Sequence, residues 1–304
     1  MATLYTQQTK NIQKTWILMT SFLVVIIILG WFTSQYFGNP HILYFFVAFS
    51  FLMNFFSYWY SDKVVLKIAG AKLISREENK ELWNVLENLC ITAGIVMPQL
   101  YIIEDMAPNA FATGRDEKHA AVAVTRGLLN MLERNELEGV LAHEISHIKN
   151  RDILLMTVVV VLVGFVTLLS DFFLRYSFFG RRGGDNDRDG RLQLIFLIAG
   201  IVLSILAPII AMMVRLAISR KREFLADASG ALLTRYPEGL ANALKKISGY
   251  SGELKRVNHA TAHLYISNPF RKHKQGVFSS FHKLFQTHPP VEERIAFLMD
   301  KSNS

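Results

Sequence analysis

The sequence has 304 residues, of which 51% are hydrophobic and 19% charged, and its mean hydropathy is +0.24. This composition excludes an intrinsically disordered chain, which has few apolar residues and many charges. The formal net charge of +8 indicates an anionic partner, and in so apolar a chain we expect a lipid surface and no nucleic acid. Cys90 is the single cysteine, which excludes an intramolecular disulfide and a thiolate metal cluster and fits a reducing compartment.

The longest feature of the sequence is a run from Thr15 to Ser61 that contains no aspartate, glutamate, lysine or arginine. This run is too long for one membrane crossing of about 20 residues and suits two. Asn39-Pro40 near its middle is a turn signal, because proline cannot continue a helix. The sequence therefore predicts a transmembrane hairpin with helices over Trp16–Phe37 and His41–Tyr60, in a first domain of residues 1–61.

Two more uncharged segments follow, Ile153–Ser170 and Leu192–Val214. They predict a second hairpin over residues 153–218 and hence four transmembrane helices. Lysines and arginines flank the outer ends of the two hairpins and place both termini in the cytoplasm. The arginine-rich loop between the later segments would then lie on the far side of the membrane from the cytoplasm. This contradicts the same rule, by which loops rich in lysine and arginine stay in the cytoplasm. The alternative is a second hairpin that enters the membrane without fully crossing it.

The polar remainder, residues 62–152 and 219–304, is long enough for one domain formed in two parts. Residues 269–283 mix basic and phenylalanine side chains, which favours contact with an anionic membrane surface. Hydrophobic periodicity predicts two helices and two strands in the first part, with Asn135 as the N-cap of the second helix. These are Ser75–Ala93, Leu100–Glu104, Ala120–Thr125 and Glu136–Lys149.

The second predicted helix contains the sequence His143-Glu144-Ile145-Ser146-His147. Histidines four residues apart lie on one face of a helix and can bind the same metal ion, and the glutamate after the first can act as general base. This pattern is typical of zinc peptidases. The alternative is a surface helix with two histidines and a solvated glutamate.

A catalytic zinc ion takes three protein ligands, so a third ligand is needed outside this helix. Glu223 and Asp227 follow the fourth apolar segment and share one helix face. Glu223 is a candidate ligand and Asp227 a candidate acceptor for a ligand imidazole N–H; the alternative is an ordinary acidic pair on an amphipathic helix. An even number of crossings between His147 and Glu223 would bring both to the same membrane face.

Four groups of residues form a specific combination. They are His143–His147 with Asn150-Arg151-Asp152, Arg222-Glu223 with Ala226-Asp227, Asn109–Ala112, and Thr287–Pro290 with Glu293-Arg294-Ile295. Together they resemble the HtpX family, bacterial integral-membrane zinc metallopeptidases that are related to the CAAX prenyl proteases. The resemblance covers nearly the whole chain.

The resemblance implies an α-helical integral membrane protein with four transmembrane helices and a mainly helical (α+β) zincin-type metallopeptidase domain with a small sheet. It implies one Zn²⁺ per chain, with Glu223 as third ligand beside His143 and His147, and Asp227 supporting a ligand histidine. It also implies that Glu144 is the general base.

Two further roles come from the same resemblance. His288 in the His-Pro-Pro segment helps to stabilise the oxyanion of the reaction, as a donor aimed at developing charge does; the alternative is a capping histidine before two prolines. The segment Asn109, Ala110, Phe111 and Ala112 resembles a strand that lies along an extended peptide substrate and pairs with its main chain. Asn109 is also a candidate contact to the scissile carbonyl.

We therefore expect a zinc endopeptidase of the bacterial inner membrane, with its active site facing the cytoplasm. Its substrates are membrane proteins or peptides, and the resemblance implies quality control of misfolded or damaged membrane proteins under stress. One alternative is a processing protease for a specific, lipidated peptide. The other is a non-catalytic membrane scaffold or transporter, against which the intact metal-binding motif argues. The oligomeric state is not readable from the sequence.

Overall fold

The computed structural model describes residues 4–162, 164, 220–250, 266 and 289–302. Within these ranges the chain forms α-helices and one four-stranded sheet. The helices are α1 Leu4–Phe37, α2 Pro40–Ala69, α3 Lys80–Ala93, α4 Arg126–Met131, α5 Arg134–Lys149, α6 Asp152–Leu162, α7 Arg220–Thr234, α8 Pro237–Gly249 and α9 Val291–Ser302. The strands are β1 Ala71–Leu73, β2 Gln99–Ile103, β3 Ala110–Gly114 and β4 Ala120–Thr125.

The first apolar run forms two long helices joined by a tight turn, as predicted. The side chain of Asn39 accepts a hydrogen bond from the His41 N–H at 3.0 Å, and Pro40 occupies the first turn of α2. Residues Gln8–Gln35 of α1 and the whole of α2 are long and apolar enough to cross a membrane. Helix α2 is longer than predicted and ends at Gly70, whose φ of 67° is left-handed.

The beginning of the third apolar segment forms α6, which packs against the first hairpin. Its residues Leu154 and Val158 lie in one buried cluster with Leu18 and Phe22 of α1. The rest of that segment, the arginine-rich loop and the fourth segment lie outside the described residues. The four crossings therefore stay a prediction, of which the structure describes two complete helices and the start of a third.

The small sheet has the strand order β1-β2-β4-β3, in which β2 and β4 are parallel and the other pairs antiparallel. Side chains alternate between the two faces of a strand. Val122 and Val124 of β4 therefore join the cluster that contains α3 and α5, whereas Ala121 and Ala123 join the cluster that contains the end of α2 and part of α6. The sheet is buried on both faces, between the base of the hairpin and the helical layer.

Helix α5 lies at the centre of that helical layer and contacts α3, α7, α8 and β3. Its side chains from Glu136 to Ile148 are buried, apart from Glu138, which is half-buried. A side chain at Gly139 would lie 2.6 Å from the backbone nitrogen of Leu240, so glycine permits the close approach of α5 and α8.

Two predicted helix starts are wrong by a few residues. Helix α5 begins at Arg134, where the Glu136 carboxylate accepts the Glu133 N–H at 2.8 Å, and Asn135 is inside the helix and not its N-cap. Helix α3 begins at Lys80, because the side chain of Asn79 accepts the Leu82 N–H and caps it.

Candidate metal centre

Three side chains from two helices meet at the candidate site. His143 and His147 come from α5, and Glu223 comes from the first turn of α7. Their ligand atoms lie within 4.8 Å of one another. The Nε2 atoms of the two histidines are 3.1 Å apart and lie 3.8 Å and 3.7 Å from the two carboxylate oxygens of Glu223. Residues that are about 80 positions apart in the chain thus form one compact, buried triad.

The first histidine is oriented by Asp227, one turn after Glu223 on α7. The Nδ1 atom of His143 lies 2.9 Å from Oδ1 of Asp227, and both side chains are fully buried. A carboxylate at Nδ1 favours the proton on that nitrogen and leaves the Nε2 lone pair directed at the triad. The position of Asp227 is therefore the one expected of a carboxylate that supports a ligand histidine.

The second histidine has an equivalent partner that the sequence analysis did not assign. The Nδ1 atom of His147 lies 3.1 Å from Oδ2 of Asp152, the first residue of α6. Asp152 was part of the motif that carries the resemblance, but no role was assigned to it. Each histidine of the triad thus has one nitrogen on a buried carboxylate and the other facing the same point.

A buried arginine holds the carboxylate behind His143. The Arg294 guanidinium donates to both oxygens of Asp227, at 2.8 Å from Nε and 2.6 Å from Nη2, and to the Ile266 carbonyl at 3.2 Å. Two parallel bonds of this kind fix the plane of the carboxylate. Arg294 thereby connects α9 to the triad, a function that the sequence analysis missed. Its position in α9, on the same helix face as the buried Leu298, was the available signal.

The carboxylate behind His147 is held by a second network. The Asn11 side chain of α1 donates to Asp152 Oδ1 at 2.6 Å and to the Asn150 carbonyl at 3.0 Å. Arg222 Nη1 lies 3.5 Å from the same Asp152 oxygen and donates to Asn11 Oδ1 at 3.3 Å. All of these side chains are buried.

The charges of the site change the proton affinities of its groups. Burial lowers the pKa of His147, but the hydrogen bond to Asp152 and the charges of Glu223 and Asp152 raise it, with a net rise to about 9. Burial alone would raise the pKa of Asp227, but the charge and hydrogen bonds of Arg294 outweigh burial and hold the pKa below its ordinary value. A metal ion must therefore displace a proton from His147 at neutral pH.

The triad fits a divalent metal in its spacing and in its charge. Donors about 2.0–2.1 Å from a tetrahedral zinc ion are separated by about 3.3 Å, close to the observed 3.1–3.8 Å. Two Nε2 atoms 3.1 Å apart need a positive charge between them, which a proton on His147 supplies in the metal-free protein and a metal ion can supply in its place. Among the described residues buried here, four carboxylates face two guanidiniums, a deficit equal to one divalent cation. They are Glu144, Asp152, Glu223 and Asp227, with Arg222 and Arg294.

Glu144 lies on α5 between the two histidines of the triad and is buried. Its negative charge is among those that raise the pKa of His147 and of Arg294. Glu144 is thus buried on the helix that carries both ligand histidines, and its role as general base stays a prediction.

The strand segment suggested as the substrate site forms the edge of the sheet. Asn109 is bound through its backbone to Thr125 of β4, and its side-chain oxygen accepts the Ala110 N–H at 3.1 Å. Ala110, Phe111 and Ala112 lie in β3 and are buried, and β3 contacts α5. The Ala110 carbonyl accepts the Ile266 N–H at 3.2 Å on the outer side of the strand, so part of this edge is already paired within the chain.

His288 lies outside the described residues, as does the basic segment 269–283. The next described residues are Pro289, which is buried, and Pro290. The Pro290 carbonyl accepts the N–H groups of Glu293 and Arg294 in the first turn of α9. His288 therefore precedes by three residues the helix that supplies Arg294 to the site.

Comparisons with known proteins agree with this geometry. The model of peptidase family M48 matches residues 76–302. A protease HtpX homologue of Thermoanaerobacter pseudethanolicus is 47% identical over 299 residues, with 96% of both chains covered. Another, from Tropheryma whipplei, is 51% identical over 246 residues, or 81% of each chain.

A solved structure has a related fold. The crystal structure of S. mikatae Ste24p matches with a TM-score of 0.50 at 18% identity, covering 96% of this chain and 66% of the Ste24p chain. At this identity the match concerns the fold alone. The matched family model spans the metal triad and both of its supporting carboxylates. The chain therefore belongs to peptidase family M48 and, within it, to the HtpX group of membrane metalloproteases.

Proposed function

We propose that this chain is a zinc endopeptidase of the HExxH type, with His143, His147 and Glu223 as its metal ligands. The observation that supports this most directly is the convergence of two Nε2 atoms and one carboxylate, in a buried site whose charge deficit equals one divalent cation. Two imidazoles and one carboxylate are a common ligand set of catalytic zinc and leave a fourth position for water.

The reaction follows from the placement of the side chains. When bound, zinc acts as a Lewis acid and lowers the pKa of water to about 7. Glu144 takes a proton from the attacking water and returns it to the leaving amine. Asp227 and Asp152 keep the histidine Nδ1 atoms protonated. The lone pairs of the Nε2 atoms therefore remain available to the metal ion.

We assign His288 to oxyanion stabilisation. This assignment is supported by its position three residues before α9, because Arg294 of that helix contacts Asp227 at the site. A donor that acts on the developing charge of the transition state contributes several kcal/mol, about 3 to 4 by the usual mutational measure.

The substrate main chain would pair with the edge of β3. The Ala110 carbonyl is directed away from β4, and alternate residues of a strand face the same neighbour, so the N–H and C=O of Ala112 also face the edge. Pairing through main-chain groups selects little by sequence. This suits a protease that degrades many misfolded or damaged membrane proteins, which is the role we propose.

We place the protein in the bacterial inner membrane with its metal site in the cytoplasm. Support comes from the two apolar helices and from the lysines at their outer ends. Lys10 and Lys14 lie at the start of α1, and Lys63 and Lys67 lie in the last turns of α2.

Substitution of Glu144 tests the proposed chemistry. In Glu144→Gln the triad is intact, so the purified protein should retain one zinc per chain while its rate of cleavage falls by at least about 100-fold. Metal analysis and cleavage of a destabilised membrane protein in vesicles measure the two quantities. Glu138→Gln, on the same helix but outside the triad, is the matched control. A Glu144→Gln protein that cleaves at the wild-type rate would refute the role.

A map of the cleavage sites separates the proposed role from a processing protease. Many scattered sites in a destabilised substrate support quality control, whereas one defined site in a single peptide supports processing. A wild-type protein that binds no zinc would leave only the scaffold or transporter function.

A further inference from the structure

We propose that Asn11 of the membrane helix α1 is a positioning residue for the metal centre. The inference rests on the proposed zinc site and concerns a residue with no part in the ligand motifs. Asn11 lies in the first turns of α1, more than 130 residues before either ligand histidine. Its side chain is nevertheless buried among groups that contact the ligands.

The amide of Asn11 uses all of its hydrogen-bonding groups in this network. Its nitrogen donates to Asp152 Oδ1 at 2.6 Å and to the Asn150 carbonyl at 3.0 Å, and its oxygen accepts from Arg222 Nη1 at 3.3 Å. The other oxygen of Asp152 is the partner of His147 at 3.1 Å. Asn11 therefore holds one oxygen of the carboxylate whose other oxygen orients this histidine.

The same amide also acts on the second ligand-bearing helix. Arg222 precedes Glu223 directly at the start of α7, and its guanidinium lies between Asn11 and Asp152. One side chain of α1 thus contacts both the turn that follows α5 and the start of α7. The first adjoins the end of the helix that carries His147, and the second is the start of the helix that carries Glu223.

A purely structural function of Asn11 would be to hold α1 against the peptidase domain. The chain offers a matched control for that function in Gln8, less than one helical turn away. The Gln8 side chain donates to the Lys149 carbonyl at 2.6 Å, which also joins α1 to the end of α5 but reaches neither Asp152 nor Arg222. Loss of Gln8 therefore removes a docking contact and leaves the network around His147 intact.

Zinc affinity distinguishes positioning from docking. Groups that orient metal ligands change metal affinity by about 10- to 100-fold when they are removed. We expect this loss for Asn11→Ala and for Asn11→Leu, whose side chain has the same branched shape without the polar atoms, and a wild-type affinity for Gln8→Ala. The affinity is measured on the full-length protein in detergent, by competition with a chromogenic zinc chelator.

Two further measurements connect the effect to His147. The visible spectrum of the Co²⁺-substituted protein should differ from wild type in both Asn11 variants and not in Gln8→Ala, because it reports the ligand geometry. In an Asp152→Ala background, Asn11→Ala should cause a smaller loss of zinc affinity than in the wild type, because the effect of Asn11 through Asp152 is already absent and only its contact with Arg222 is left to lose.

The outcomes are distinct. A wild-type protein without zinc refutes the proposed function itself. A wild-type protein that binds zinc, with Asn11 variants that bind it equally well, refutes the positioning role alone. The same conclusion follows if Gln8→Ala loses as much affinity as Asn11→Ala, or if neither Asn11 variant folds, as judged by circular dichroism, because Asn11 is then a docking residue.

Discussion

Replacement of Arg294 by methionine should weaken both the stability of the protein and its metal affinity. The arginine is fully buried and forms two short bonds to Asp227 and one to the Ile266 carbonyl. Loss of one partner from a buried ion pair costs about 3–5 kcal/mol, because the other charge stays buried without compensation. Without its two bonds from Arg294, the Asp227 carboxylate no longer fixes the orientation of the His143 ring. Zinc affinity should therefore fall by about 10- to 100-fold.

A second variant separates these two effects. The double variant Asp227→Leu with Arg294→Met removes both charges of the pair and leaves no additional buried charge unpaired, so stability should recover towards wild type. The zinc affinity should remain low, since His143 has lost its acceptor.

Denaturation midpoints of the metal-free protein in detergent and chelator competition measure the two quantities. Arg294→Lys keeps the charge but not the paired donors and should fall between wild type and Arg294→Met. An Arg294→Met protein with wild-type midpoint and wild-type zinc affinity would refute this reasoning.

Two other predictions concern the packing around α5. Burial raises the pKa of the Cys90 thiol to about 12, so iodoacetamide at pH 8 should label this thiol only after the protein is unfolded. Mass spectrometry measures the labelling, and rapid labelling of the native protein would contradict the prediction. Gly139→Ala should lower the denaturation midpoint and the zinc content, because the new methyl group would lie 2.6 Å from the backbone of α8. Gly249→Ala, where the added methyl meets nothing within 4 Å, is the control, and equal midpoints for the two variants would show that α5 and α8 are not closely packed.

The features predicted from sequence are those with a local signature. The helix with His143 and His147 and the turn at Asn39-Pro40 both depend on residues a few positions apart, and both form where expected. The helix starts were less accurate because side-chain caps decide them, as Glu136 does for α5.

The contacts around the triad could not be predicted in the same way. Asn11 is 141 residues from Asp152 along the chain, and Arg294 is 67 residues from Asp227. The local pattern of an apolar membrane helix does not identify such a partner. The pattern of the terminal helix places Arg294 on a buried face but does not name Asp227, since the contact exists only after the tertiary structure has formed. The resemblance included Asp152 and Arg294 among its motifs, and the structure adds what each of them contacts.

The chain order of the site has a consequence for biosynthesis. Asn11 leaves the ribosome first, the two histidines follow, then Glu223 and Asp227, and Arg294 is the last residue of the network to be made. Before α9 emerges, Asp227 lacks the cation that makes its burial favourable, and His143 has no fixed acceptor. A nascent chain that already contains the complete ligand set therefore still lacks the contact that fixes the acceptor of His143. By the magnitude expected for Arg294→Met, its zinc affinity would be about 10- to 100-fold below that of the finished chain until α9 has docked.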